Sequence, residues 1–107
     1  HLRGALFETY VAQNLAAILA ARWPRARLGF FGQAGRREVD FVIEAGRDTL
    51  AVEVKAAGRW DDRDLGGLEA FLAATPRCRA GILAHNGTEA VKLGDRLWAI
   101  PVGLLIS

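Results

Sequence analysis

Residues 37–55 decide how this chain folds. They read Arg37-Glu38-Val39-Asp40-Phe41-Val42-Ile43-Glu44, then Ala45-Gly46-Arg47-Asp48, then Thr49-Leu50-Ala51-Val52-Glu53-Val54-Lys55. The outer runs are rich in β-branched residues, the composition of strands. The four residues between them form a hairpin turn, with Gly46 where a two-residue turn needs positive φ. Side chains alternate across a strand, so Glu53 and Lys55 leave one face. Leu50, Val52 and Val54 leave the other and need a helix to cover them.

If the turn centres on Gly46-Arg47, Glu44 faces Thr49, Val42 faces Ala51, Asp40 faces Glu53 and Glu38 faces Lys55. Directly opposed β carbons lie about 4.5–5.5 Å apart. An odd-length turn would slip this pairing by one residue. Two carboxylates at that separation repel unless a cation lies between them. Mg²⁺ suits the position, because it takes one or two carboxylates and fills its shell with water. It also acidifies a bound water and stabilises charge on a phosphate. A lysine beside it adds a donor for the developing negative charge.

Outward from the hairpin, residues 3–22 have helical spacing, with Leu6, Phe7, Tyr10, Val11, Asn14, Leu15, Ile18 and Leu19 on one broad face. Trp23-Pro24 ends that helix. Residues 27–32 read as a short strand, followed by a turn at Gln33-Ala34-Gly35. After a loop at 56–60, Asp61 or Asp62 caps a second helix over about 62–74, which Thr75-Pro76 closes. Residues 79–85 read as a core strand. Asn86-Gly87 predicts a hairpin into a strand at 88–93, and Gly94-Asp95 a turn into a strand at 96–100. Residues 101–106 are an apolar tail with no assigned structure. The order α-β-β-β-α-β-β-β defines an α/β sheet with helices on its faces.

The 107 residues, 51% of them hydrophobic and 24% charged, suit one globular domain spanning 1–107. The chain holds no methionine, not even at position 1, so we expect a piece of a longer protein. A single cysteine, Cys78, excludes an internal disulfide. With no His/Cys spacing for zinc, any metal has oxygen ligands. The longest apolar stretch, residues 15–21, is too short for a membrane span, and no signal peptide is visible, so the expected location is cytoplasmic without membrane contact. The net charge of +2 is compatible with nucleic acid, although the arginines are scattered.

The Glu38 to Ile43 run, with Asp40 in it, and the Ala51-Val52-Glu53-Val54-Lys55 run together resemble the Asp…Glu-x-Lys signature of the PD-(D/E)XK nuclease superfamily. The core order of that superfamily is αβββαβ. Nearly the whole chain also resembles the C-terminal nuclease-like domain, of unknown function, on predicted AAA-type ATPases. The matching segments are Phe7-Glu8, Glu38 to Phe41, Glu53 to Lys55 and Ala99-Ile100-Pro101. The resemblance implies a restriction-endonuclease-like fold, with a mixed central sheet flanked by helices. It implies Asp40, Glu53 and the Val54 carbonyl as ligands of Mg²⁺ or Mn²⁺, Lys55 as the catalytic lysine, and Glu8 as an accessory carboxylate. Val39 stands where the name-giving proline would be. DNA is the implied substrate and an N-terminal ATPase module the implied partner. No GxxxxGK[ST] occurs in this chain, so it carries no P-loop of its own.

Plainer readings stand beside these. The motif can be a solvated hairpin face with a surface ion pair, and Glu8 a carboxylate near a helix N-terminus. His85 reads as a turn residue, Cys78 as a strand-edge thiol, and Arg36-Arg37 as an exposed strand end. Trp60 and Trp98 read as core or rim aromatics, and residues 61–64 as helix capping. Two functions follow: a metal-dependent nuclease domain, or a catalytically inactive module that serves an ATPase through interaction or regulation. The last strands leave an unpaired sheet edge through which a homodimer can form.

Overall fold

A computed structural model of the chain describes residues 2–22, 25–33 and 36–106. The stop at Trp23-Pro24 and the turn residues Ala34-Gly35 lie outside the described residues, as do the side chains of Glu8, Arg36, Arg37 and Glu38. The chain runs α1 (Leu2–Arg22), β1 (Arg27–Gln33), β2 (Arg36–Ala45), β3 (Asp48–Lys55), a 3-10 turn (Asp62–Leu65), α2 (Gly66–Ala74), β4 (Cys78–His85), β5 (Val91–Lys92), β6 (Leu97–Pro101) and α3 (Val102–Leu105). The expected αβββαβ order is present.

Six strands form one mixed sheet in the order β1-β2-β3-β4-β6-β5. Strands β1, β2 and β3 are an antiparallel meander. The chain then crosses by the 3-10 turn and α2 to β4, which lies parallel to β3, and β6 lies parallel to β4. Parallel neighbours cannot be joined by a tight turn, so the crossover needs an intervening element. The helices lie on the two faces and bury apolar side chains of β2, β3, β4 and β6.

Two clusters make up the core. Under α2 lie Val39, Ala51, Cys78, Leu83, Leu97 and Ala99, packed against Leu65, Leu68, Phe71 and Leu72. On the other face Phe41, Ile43, Val52, Ile82 and Ala84 pack with Val11 and Leu15 of α1 and Val102 of α3. The expected cover over Val52 is therefore α1, with Leu50 and Val54 partly buried beside it.

The hairpin turn falls on Gly46-Arg47, with Ala45 paired to Asp48 and Gly46 at φ +64°. A side chain in that left-handed region is strained, and glycine avoids the strain. Strand β2 then departs from regular alternation. Gly29 pairs with Val42 and Phe31 with Val39, so two steps along β1 match three along β2. That extra residue is a bulge. It places Val39 in the α2 cluster although Phe41 and Ile43 lie in the α1 cluster.

Three expectations change. Asn86-Gly87 is not a hairpin, because β5 pairs with β6 at the sheet edge and not with β4. The Asn86 N–H donates to the carbonyl of Ala57 at 3.0 Å, and the loop turns toward residues 56–60. The apolar face of α1 is narrower than its spacing suggests, since Leu6 and Tyr10 are 63% and 52% exposed. The apolar tail begins with the end of β6 and then forms α3, whose Val102 is buried. The turn at Gly94-Asp95 does join β5 to β6 as expected.

Candidate functional site

The ladder between β2 and β3 keeps the expected register from Ala45–Asp48 to Phe41–Val52. At the next position the side chains take over. The Asp40 N–H donates to Glu53 Oε1 at 2.9 Å, and the Val54 N–H donates to Asp40 Oδ2 at 2.7 Å. Each carboxylate thus binds the backbone of the opposite strand. Hydrogen bonds to ionised oxygens are among the stronger ones in a protein. The bulge in β2 is the local cause, because an extra residue interrupts the ladder and re-aims the neighbouring side chains.

Asp40 is 5% exposed, whereas Glu53 is half-buried. Beside Glu53 opens a cleft of about 400 Å³, lined by Glu53, Val54, Lys55, Arg63, Asp64, Gly67 and Leu83. Lys55 is on the same face of β3 as Glu53, two residues on. Its ammonium lies 3.1 Å from Asp64 Oδ1, in an ion pair that is partly exposed. The expected position of Lys55 opposite Glu38 concerns a side chain outside the described residues.

Asp64 is the residue that sequence reading missed. Residues 61–64 act as a cap, as expected, but their capping box starts the 3-10 turn and not α2, whose N-cap Leu65 makes no side-chain capping bond. Asp61 Oδ1 accepts the N–H of Arg63 at 2.9 Å, and Asp64 Oδ2 accepts the N–H of Asp61 at 2.9 Å. This leaves Asp64 Oδ1 to bind Lys55, so one carboxylate joins the start of the crossover to the end of β3. The D-x-x-D spacing signals the cap, but no local pattern signals the distant lysine. Asp61 itself is held below the ordinary carboxylate pKa, chiefly by its side-chain hydrogen bond from Arg63 and then by the Arg63 backbone N–H.

Glu8 belongs to α1, but its side chain lies outside the described residues. The first turn of α1 holds no acidic residue, so the helix-dipole reading of Glu8 loses weight. Arg36 and Arg37 begin β2, with side chains outside the described residues. Trp60 is partly buried against the α2 cluster, and Trp98 is a rim aromatic with the Lys92 ammonium 5.4 Å from its ring centre. Cys78 is buried, and its thiol donates to the Ala80 carbonyl at 3.3 Å. His85 is not an exposed turn residue but a buried one at the end of β4, 2% exposed.

The donor set can be tested against a metal. Two carboxylates brought together by β2 and β3 supply hard oxygen ligands, which Mg²⁺ and Mn²⁺ accept when water or phosphate completes the shell. Among the described residues no group of three His, Cys, Asp or Glu side chains could hold a metal. The pair does not make an all-protein cage, and water or phosphate would have to complete any metal shell around it. A second hollow, about 580 Å³, lies between the end of α2 and the hairpin turn. Its walls include Val42, Phe71, Ala74 and Pro76, with charge only from Glu44 and Arg77, so it gathers no catalytic set.

Fold and site together define a mixed α/β domain with a carboxylate pair where two antiparallel strands stop pairing. Its sequence places it in a family: the chain belongs to the Domain of unknown function (DUF4143) family, which matches residues 3–105. No curated protein and no solved structure matches it. No helix among the described residues is long and apolar enough to cross a membrane.

Proposed function

We propose that this domain is a metal-dependent nuclease of the PD-(D/E)XK type that hydrolyses DNA phosphodiesters. The observation that carries the reading is that Asp40 and Glu53 each accept a backbone N–H of the other's strand at the end of β2 and β3, with Glu53 and Lys55 lining one cleft. Asp40 and Glu53 would hold Mg²⁺ or Mn²⁺, with the Val54 carbonyl as a further ligand and Glu8 as an accessory carboxylate. The metal supplies Lewis acidity and an acidified water. Lys55 orients the attacking water or neutralises charge growing on the phosphate, and to do so it exchanges its Asp64 partner for substrate.

The test is cleavage of plasmid and linear DNA against a titration of Mg²⁺ and Mn²⁺. Cleavage should require the metal and fall about a hundredfold or more in Lys55→Ala, the usual scale for losing a group that stabilises transition-state charge. Cleavage that survives in Asp40→Asn and Glu53→Gln would refute the assignment.

A second reading is favoured by the Lys55–Asp64 ion pair, which occupies the lysine that catalysis would need. In that reading the domain is catalytically inactive and serves as an interaction or regulatory module of an AAA-type ATPase, with nucleic acid or a second copy as further partners. Metal binding without cleavage, under conditions where the full-length protein hydrolyses ATP, would support it.

A further inference from the structure

His85 stands at the C-terminal end of β4, in register with Lys55 on β3. Leu83, two residues before it, packs on the α2 side with Ala51. Strand alternation sends His85 to that same side, and Glu53 and Lys55 with it. The imidazole Nδ1 accepts the N–H of Gly87 at 2.9 Å. In the neutral ring the proton is therefore on Nε2. That Nε2–H is buried and has no hydrogen-bond partner among the described residues. A buried donor left without an acceptor is costly, so the position calls for an oxygen.

We propose that His85 and Lys55 form an oxyanion subsite whose ligand is phosphate, with the His85 Nε2–H and the Lys55 ammonium as its donors. The carboxyl ends of parallel strands are where open α/β sheets bind ligands. Phosphate presents separate oxygens, one for each donor; the hollow beside Lys55 is lined by Arg59 and Arg63 but also by Asp61 and Asp64, and Arg63 is paired with Asp61. The loop after β4 and the loop after β3 are tied by the Asn86–Ala57 hydrogen bond. Phosphate competes with Asp64 for Lys55. The subsite shares Lys55 with the nuclease reading but needs no metal at Asp40 and Glu53.

The experiment is ¹⁵N NMR of the histidine ring in the whole chain. Inorganic phosphate is titrated into metal-free buffer containing a chelator, with chloride at equal ionic strength as the control. The Nε2 resonance should report the Nε2–H tautomer and shift saturably with phosphate but not with chloride. His85→Ala should weaken phosphate binding about tenfold or more, the scale of a lost hydrogen bond to a charged group. His85→Gln, which retains an N–H donor, should restore most of the loss, and Lys55→Ala should weaken binding as well. A Nε2 resonance that phosphate does not move, including one that reports only a held water, overturns the proposal. So does equal affinity in the parent and His85→Gln on one side and Lys55→Ala on the other. If His85→Ala fails to fold, the parent's Nε2 resonance and His85→Gln still decide it. A domain that binds phosphate this way but cleaves no DNA keeps the subsite and loses the nuclease reading.

Discussion

Asp40 and Glu53 each bind the other's strand through its backbone: Glu53 Oε1 accepts the Asp40 N–H at 2.9 Å, and Asp40 Oδ2 accepts the Val54 N–H at 2.7 Å. The two carboxylates close the hairpin where the ladder ends. They therefore contribute to folding whether or not they also hold a metal, and two substitutions at one position can separate these contributions.

Asp40→Ala removes the acceptor of a backbone N–H in a nearly closed environment. It should lower stability by about 1–3 kcal/mol, the cost of an unsatisfied buried donor. Asp40→Asn keeps an acceptor oxygen and the side-chain shape, so its loss should be smaller. If the site holds Mn²⁺, both variants should weaken Mn²⁺ binding. Urea unfolding checks the first expectation and Mn²⁺ titration the second.

At Asp64 a similar pair of variants separates the cap from the ion pair. Asp64→Asn can still accept the Asp61 N–H but loses the charge facing Lys55. Partly exposed ion pairs contribute about 0–1 kcal/mol, so its stability should stay within about 0.5 kcal/mol of the parent. Asp64→Ala also loses the capping acceptor and should cost about 1 kcal/mol more. Equal losses in the two variants, measured by urea unfolding, would mean that the cap contributes nothing.

Arg96 joins the end of α2 to the start of β4. Its guanidinium donates to the carbonyls of Leu72 at 2.9 Å, Thr75 at 3.2 Å and Cys78 at 2.7 Å. Arg96→Ala should cost about 2–3 kcal/mol, because several carbonyls lose one charged donor at once. Arg96→Lys should recover only part of this, since an ammonium lacks the planar fork that reaches separate acceptors. Denaturant midpoints of the two variants check the order.

Burial pushes the Cys78 thiol above its ordinary pKa. The unfolded chain then loses this proton at a lower pH than the folded one. Stability from the protonated thiol is fully present below about pH 9 and falls as pH rises through the raised value. Urea midpoints at pH 8 and pH 10.5 should therefore converge more closely in Cys78→Ala than in the parent, even though the substitution lowers stability at both.

Local chemistry in the sequence determined much of the architecture. Gly46 set the turn, and the turn set the register from Ala45–Asp48 to Phe41–Val52, because a two-residue hairpin leaves no freedom in pairing. The Asp61 cap and the apolar stripe of Leu65, Leu68, Phe71 and Leu72 likewise marked the crossover. Tertiary structure alone decided the rest. The bulge at the Asp40 end of β2 depends on β1 and transfers Val39 to the opposite core, which strict alternation within one strand does not encode. Asn86-Gly87 has hairpin chemistry, yet β4 is flanked on both sides by parallel partners, so the loop bonds to residues 56–60 instead. Asp64 reaches Lys55, and His85 is buried beside it, only because α2 and β4 return to the edge of the hairpin. The Asp40–Glu53 pair combines both: its place follows from turn length, and its geometry from the strand packed on the far side of β2.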